Sequence, residues 1–168
     1  SAASDVYKRQ AYFGVTVEQL RTDDLTGLSK VEKPVAYRPV GVKSLIEISA
    51  NGAFVETGSD SGTVHFPARD TAAYALRVGI GDLRPRIKPG ELIIVEPNVE
   101  PWPGDEVIVF LKDGTRLLRE LLYKRDGSYV FGCVNTKTPP AHVPVDQVVA
   151  MHYVAGIMPP RAYEKPAN

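Results

Sequence analysis

Short apolar stretches separated by polar turns fill most of the chain after residue 74, and this pattern predicts a mainly β domain. Six stretches are rich in Val, Ile, Leu and Tyr, the residue types that β-strands favour. We predict strands over residues 75–78, 92–96, 107–111, 116–123, 129–134 and 148–157. Asp113-Gly114 and Asp126-Gly127 each lie between two such stretches, and Asp-Gly is a strong signal for a two-residue hairpin turn.

The first part of the chain has a different pattern. Residues 1–10 show no apolar period and do not match the rest of the chain, so we predict an unstructured or non-native start. Residues 11–25 predict a short helix, which Thr16 can cap and which places Val17 and Leu20 on one face. Residues 26–42 combine Gly27, Pro34 and Pro39 with charges and predict a linker. A domain over 43–160 and a tail over 161–168 complete the predicted organisation.

Composition narrows the class of protein. A chain of 168 residues is long enough for one domain with a proper core. Its 20 basic and 20 acidic side chains balance, so no global field attracts nucleic acid or an acidic membrane. The single cysteine, Cys133, excludes an intrachain disulfide, fits a reducing cytoplasm and is expected to be a small core residue. The sequence contains no apolar run of the roughly 18 residues that a membrane span needs. We predict a cytoplasmic protein.

Several polar features predict no further chemistry. His65, His142 and His152 lack the spacing of metal ligands, so we expect no metal and no cofactor. The glycines of segment 51–62 lack the context of a phosphate loop, and a surface loop is the expectation there. Trp102 lies among three prolines and is expected to pack as a lid over a polar turn.

The stretch 74–98, YALRVGIGDLRPRIKPGELIIVEPN, closely resembles the nucleophile strand and turn of the LexA and phage-repressor family of self-cleaving serine peptidases. In that family a serine attacks a bond in its own linker or in a partner copy. An alignment without gaps places Asp82 at the serine position, and an alignment with a one-residue deletion places Leu83 there. Neither residue has a hydroxyl group.

The family's second catalytic residue is a lysine that follows a hairpin, and the matching text DGTRLLREL places Arg119 at that position. The lysine must be neutral to accept the serine proton, whereas an arginine stays protonated in proteins. The resemblance therefore implies a domain that has lost its dyad. We predict that Asp82 stays ionised and lies beside Arg119 as an ion pair.

The self-cleavage bond of the family is usually Ala-Gly or Cys-Gly, and its nearest counterpart here is Ala50-Asn51-Gly52. Asn-Gly replaces the expected pair, which makes this a degenerate cleavage region. Asn-Gly is also a strong hairpin-turn signal, and we favour the turn.

The resemblance spans about residues 41–158 and implies the mainly β fold that LexA shares with the signal peptidases. Residues 11–25, AYFGVTVEQLRTDDL, resemble the last helix of a Cro-type or phage-repressor helix-turn-helix domain, although an ordinary amphipathic helix remains an alternative. The recognition helix of such a domain would lie upstream. DNA is then expected to be bound only through that N-terminal domain.

Together these expectations predict the self-association domain of a phage-type or prophage-type repressor, forming a homodimer without autoproteolysis. The alternative is an active self-cleaving repressor of the LexA family, and the resemblance also implies a recombinase filament as a partner. The predicted interface is the apolar C-terminal strand, with Met151, Tyr153, Val154 and Ile157 as its contact residues. A central core strand explains the same stretch equally well.

Overall fold

The computed structural model describes residues 36–81, 83–135 and 137–167. The chain divides into two compact units, residues 1–34 and 35–168, and all described residues lie in the second. The helix predicted over 11–25 therefore lies outside the described residues. Ten strands form the second unit: β1 Arg38–Ile48, β2 Ala53–Ser59, β3 Thr63–Phe66, β4 Tyr74–Gly81, β5 Leu92–Glu96, β6 Glu106–Leu111, β7 Arg116–Arg125, β8 Ser128–Cys133, β9 Ala141–Pro144 and β10 Val148–Met158. Two short 3-10 helices, Val145–Gln147 and Pro160–Ala162, flank β10.

The strands form one ten-stranded sheet in the order β2-β1-β4-β5-β10-β6-β7-β8-β9, with β3 added to the first half of β1. The pairing of β1 with β4 is parallel, and the other pairings are antiparallel. A short pairing between β2 and β7 joins distant parts of this order and closes the sheet on itself. The first residue of β2 therefore lies against β7, which brings the β1–β2 turn close to Arg119.

The closed sheet encloses a main core cluster, to which β1, β4, β5, β6, β7 and β10 all contribute buried aliphatic side chains. A second cluster lies beneath β1 and β3, and a third lies between β6, β7 and β8. Strand β5 is buried along its whole length, as expected for a strand covered on both faces. Burial of these aliphatic side chains is the main source of stability in such a domain.

The mainly β fold is confirmed, and each of the six predicted strands is present. Strands β1, β2, β3 and β9 were not predicted. Strand β1 begins at Arg38, inside the stretch predicted as a linker. From Val40 onwards every second residue of this strand is buried, but Pro39 and Gly41 lie next to buried positions and obscure that alternation in the sequence. The buried residues are Val40, Val42, Ser44, Ile46 and Ile48. The surface-loop prediction for 51–62 is wrong over β2, which pairs with β1 although five of its seven residues are exposed.

The residues after β10, which include the segment predicted as a tail, bind back onto the sheet. Glu164 pairs with Thr63 at the start of β3. The Tyr163 hydroxyl donates a 2.8 Å hydrogen bond to Asp60, and the Arg77 guanidinium lies 4.0 Å from the centre of the Tyr163 ring. The pKa of the Asp60 carboxyl is lower than its usual value. Burial by itself would raise this pKa, but the hydrogen bonds from the Gly62 N–H and the Tyr163 hydroxyl, together with the charge of Arg77, outweigh the effect of burial.

We expect Tyr163→Phe to lower the free energy of unfolding at pH 7 by about 1 kcal/mol, the contribution of one hydrogen bond. Because the pKa of Asp60 is lower in the folded state, its contribution is present above the unfolded pKa of about 3.9 and is lost as the pH falls through the folded pKa. The variant should therefore lose less stability than the wild type in acid. Urea unfolding at pH 7 and pH 3 measures both effects, with Tyr37→Phe on an exposed tyrosine as the control. An unchanged acid dependence would contradict this account.

Candidate functional site

The predicted cleavage region forms the tight turn between β1 and β2. The turn is closed by a 2.8 Å hydrogen bond from the Ser49 N–H to the Ala53 carbonyl and a 2.9 Å bond from the Gly52 N–H to the Ser49 carbonyl. The Asn51 side-chain oxygen accepts bonds from the Ser49 hydroxyl, 2.6 Å, and the Ala53 N–H, 2.9 Å. Gly52 has a φ of +88°, a backbone conformation that favours glycine. A hairpin turn is therefore present as predicted, but its loop has three residues, Ala50, Asn51 and Gly52, with Gly52 in the left-handed conformation, whereas the prediction was a two-residue Asn-Gly turn.

This turn packs directly on β7. The Leu118 N–H donates a 2.8 Å hydrogen bond to the Gly52 carbonyl, and Ala53 pairs with Leu117. A Cβ added at Gly52 would lie 2.3 Å from the Leu118 carbonyl oxygen and 3.4 Å from Arg119 Nε. Only a glycine fits this contact, because the nearest neighbour is backbone and cannot rotate away.

Two side chains hold the turn from β8 and the loop after it. Asn135, which is buried, donates from Nδ2 to the Ala50 carbonyl and accepts from the N–H groups of Lys137 and Thr138. The Cys133 thiol donates to the same Ala50 carbonyl at 3.5 Å. Neither contact was predicted, because no local pattern shows that an isolated Asn or Cys will meet a turn more than 80 residues away.

Arg119 lies beneath the turn with only 6 % of its surface exposed. It is on the face of β7 that carries Leu117 and Leu121, which belong to the third core cluster. Its Nε and Nη1 groups are buried and have no hydrogen-bond partner among the described residues. A desolvated guanidinium without an acceptor is costly, so this position is suited to binding an anionic group.

The position that aligns with the family's serine follows the end of β4. Asp82 itself lies outside the described residues, so its pairing with Arg119 stays a prediction. On one side of this position, Gly81 pairs with Ile48, the last residue of β1 before the turn, and on the other, Leu83 is fully buried in the main core cluster. The ends of β1 and β4 therefore lie side by side, next to the turn that covers Arg119.

The surroundings of the turn are otherwise open on one side. A groove of about 370 Å³ separates the β1–β2 hairpin from the β6–β7 turn, and Arg119 is not among its lining residues. Within the described part of the chain, no group of three or more His, Cys, Asp or Glu side chains is placed to hold a metal ion. The same part contains no helix that is long and apolar enough to cross a membrane.

The predicted interface strand, β10, lies in the middle of the sheet between β5 and β6. Val154 is 6 % exposed and packs in the main core cluster, which leaves it no surface for a partner and corrects its place among the interface residues. Met151, Tyr153 and Ile157 are half-buried, and Val149 is 64 % exposed. The strand thus combines a core role with incompletely covered side chains.

Two smaller expectations differ from the structure. Trp102 was expected to pack as a lid, but 70 % of its surface is exposed, because the turn is already fixed by hydrogen bonds between residues 102 and 105. Cys133 was expected in the core, but it is only half-buried, because its thiol points to the turn at Ala50.

The geometry defines a mainly β domain in which the Ala50–Gly52 turn packs on β7 next to Arg119. The comparison with known families agrees with this class, since residues 44–155 match the Peptidase S24-like family model. The match covers more than half of the chain, and the chain therefore belongs to the Peptidase S24-like family, within the LexA and signal-peptidase-like group. No curated protein matches the chain.

Proposed function

We propose that this chain is the self-association domain of a phage-type or prophage-type transcriptional repressor and that it does not cleave itself. The observation that carries the proposal is that the residue buried beneath the Ala50–Gly52 turn is an arginine, Arg119, and not a lysine. A family member that cleaves itself would need a neutral lysine there. An arginine stays protonated in proteins and cannot act as the base.

The nucleophile position supports the same proposal. Asp82 aligns there without gaps, and a carboxylate held ionised by Arg119 would be a poor base. Aspartic catalysis uses two carboxylates that share one proton, and the sequence offers only one at this position. The docked turn then has a structural role, since it leads into the pairing of β2 with β7 that closes the sheet.

The alternative function is an active self-cleaving repressor of the same family, which the seating of the turn beside position 119 favours. Incubation of the purified protein at raised pH, with and without an activated recombinase filament, separates the two functions. We expect the chain to remain intact on a denaturing gel. Two fragments that meet near residues 50–52 would establish the alternative.

We expect the double variant Asp82→Ser with Arg119→Lys to regain the chemical identities of the dyad without regaining self-cleavage. The turn still presents Asn51-Gly52, and a new lysine needs a tuned environment to become a base. Gel analysis over the pH range above neutrality tests this expectation. Adding Asn51→Gly, which puts glycine directly after Ala50, gives the fairest comparison. Cleavage of the double variant alone would show that Asn51-Gly52 is a competent cleavage region.

Self-association is proposed to occur through β10. An apolar strand whose side chains are incompletely covered on a sheet surface is typical of a surface completed by a partner copy. In such a repressor a dimer holds two DNA-binding heads at two half-sites, which raises affinity through effective concentration without new DNA contacts. DNA recognition is assigned to an N-terminal helix-turn-helix domain, because the balanced charge of this chain gives no general attraction to phosphates.

We expect sedimentation to report twice the chain mass of 18.4 kDa at micromolar concentration. Val149→Asp should shift the protein towards monomer, because it places a charge on the exposed part of β10. Val154→Asp would instead disrupt the core and cannot serve as the probe. Val55→Asp is the matched control, since Val55 is 61 % exposed on β2, away from β10. A monomeric wild type, or equal effects of the two substitutions at residues 149 and 55, would contradict an interface at β10.

A further inference from the structure

Cys133 and Arg119 are direct cross-strand partners between β8 and β7. Such partners project from the same face of a sheet, with Cβ atoms about 4.5–5.5 Å apart. Both side chains also reach the same turn: the Cys133 sulfur lies 3.5 Å from the Ala50 carbonyl oxygen, and Arg119 Nε lies 3.4 Å from the place of a Cβ at Gly52. The thiol and the guanidinium are therefore neighbours beneath one turn.

Two N–H groups of the Arg119 guanidinium have no acceptor among the residues that the structure describes, and a thiol carries no negatively charged oxygen that could serve as one. Arg119 is more than nine-tenths buried, and its Nε and Nη1 groups have no partner among the described residues. Cys133 as a whole is half-buried and is not enclosed in the core, which leaves this position open to a small molecule. Addition of one oxygen atom to this sulfur would supply an anionic acceptor next to the unused N–H groups.

We propose that Cys133 is an oxidation site for hydroperoxides and that Arg119 stabilises the sulfenate product. The Cys133 thiol first loses its proton to water. The thiolate sulfur then attacks the terminal oxygen of the hydroperoxide, an S–O bond forms, the O–O bond breaks, and the proton on the transferred oxygen passes to the departing oxygen, which leaves the sulfur as a sulfenate. The sulfur loses two electrons, the peroxide gains them, and the departing alkoxide or hydroxide takes up that proton to leave as alcohol or water. The sulfenate oxygen accepts charge-assisted hydrogen bonds from Arg119.

The rest of the site is compatible with this modification. A guanidinium has five N–H donors, so a carboxylate at Asp82 and a sulfenate can both be accommodated. Cys133 is the single cysteine of the chain, so no second thiol of the same molecule can convert the sulfenate into a disulfide. The thiol that donates to Ala50 is consumed by oxidation, which leaves Asn135 as the side chain that holds the turn. The modification thus changes how the turn is held, and it does not depend on the proposed function.

The test measures how long the oxidised cysteine survives. The full chain is treated with hydrogen peroxide, the peroxide is destroyed with catalase, and a sulfenic-acid-specific dione probe is added after increasing delays. Mass spectrometry then gives the labelled fraction, which reports on Cys133 alone because the chain has no other cysteine. We expect the labelled fraction to decay roughly tenfold more slowly in the native protein than in urea, the factor expected for at least one hydrogen bond to a charged group.

Variants separate the charge of Arg119 from simple burial of the sulfur. Arg119→Met keeps the length of the side chain and should bring the decay close to that in urea, whereas Arg119→Lys should retain part of the protection. Cys133→Ser should give no label. Circular dichroism verifies that each variant is folded, and the comparison of native and unfolded wild type stands even if Arg119→Met does not fold. Equal decay in native and unfolded wild type, or full protection in folded Arg119→Met, would overturn the proposal.

Discussion

Gly52→Ala is expected to lower the free energy of unfolding by about 3 kcal/mol or more, in the range of the most disruptive single substitutions. The added Cβ would lie 2.3 Å from the Leu118 carbonyl oxygen, and the backbone there has a φ of +88°. The turn must move away from β7 to relieve the contact, which breaks the hydrogen bond from the Leu118 N–H to the Gly52 carbonyl. Chemical denaturation monitored by circular dichroism measures the loss.

Gly114→Ala is the matched control for this substitution. Gly114 has the same φ of +88° in the β6–β7 turn, but a Cβ added there meets nothing within 4 Å. It should cost only the left-handed backbone strain of about 1–2 kcal/mol. Equal losses for the two variants would mean that the Ala50–Gly52 turn is not seated on β7.

Asp82→Ala is expected to lower the free energy of unfolding by about 3–5 kcal/mol, because it would strand the buried charge of Arg119. Arg119→Met should also destabilise the protein by leaving the carboxylate of Asp82 without its partner. The double variant should be less destabilised than the sum of the single variants, since neither charge then remains. A double-mutant cycle by urea unfolding measures this coupling, which is about 0.5–3 kcal/mol for residues in contact.

Asp146→Ala, at an exposed aspartate in a 3-10 helix, controls for loss of a carboxylate from the surface. It should change stability by less than about 0.5 kcal/mol. Additive effects of Asp82→Ala and Arg119→Met would refute the ion pair. So would an experimental structure in which the two side chains lie more than about 6 Å apart, the outer reach of a charge that shifts a neighbour's pKa.

Local sequence patterns predict those parts of the fold whose cause is local. The Asp-Gly turns at Gly114 and Gly127 and the apolar strand β5 follow directly from residue type and alternation. Strand β2 is different, because AFVETGS is polar and mostly exposed and becomes a strand only through its partners β1 and β7. Pairing with a distant strand leaves no local signal, so sequence alone could not predict it.

The candidate site shows the same division. Alignment with the family identified Arg119 and the Ala50–Gly52 region, and the structure brings them together. The alignment could not identify Asn135 and Cys133, whose contacts with Ala50 join residues that are 85 and 83 positions apart in the sequence. The sequence also could not show which side chains of β10 are buried and which are exposed, because the burial of Val154 depends on the neighbouring strands β5 and β6.

Residues near the two ends of the described domain both pair with β3. Arg38, the first residue of β1, pairs with Phe66 at one end of this short strand, and Glu164 pairs with Thr63 at the other. Four residues of a β-strand span only about 13 Å. A short peptide could therefore link the ends, and the chain could be reopened at an exposed turn such as Asp113-Gly114 with its strand pairings retained. The domain is thus suited to circular permutation, and the position of the new ends would decide on which side of the domain a fused protein is attached.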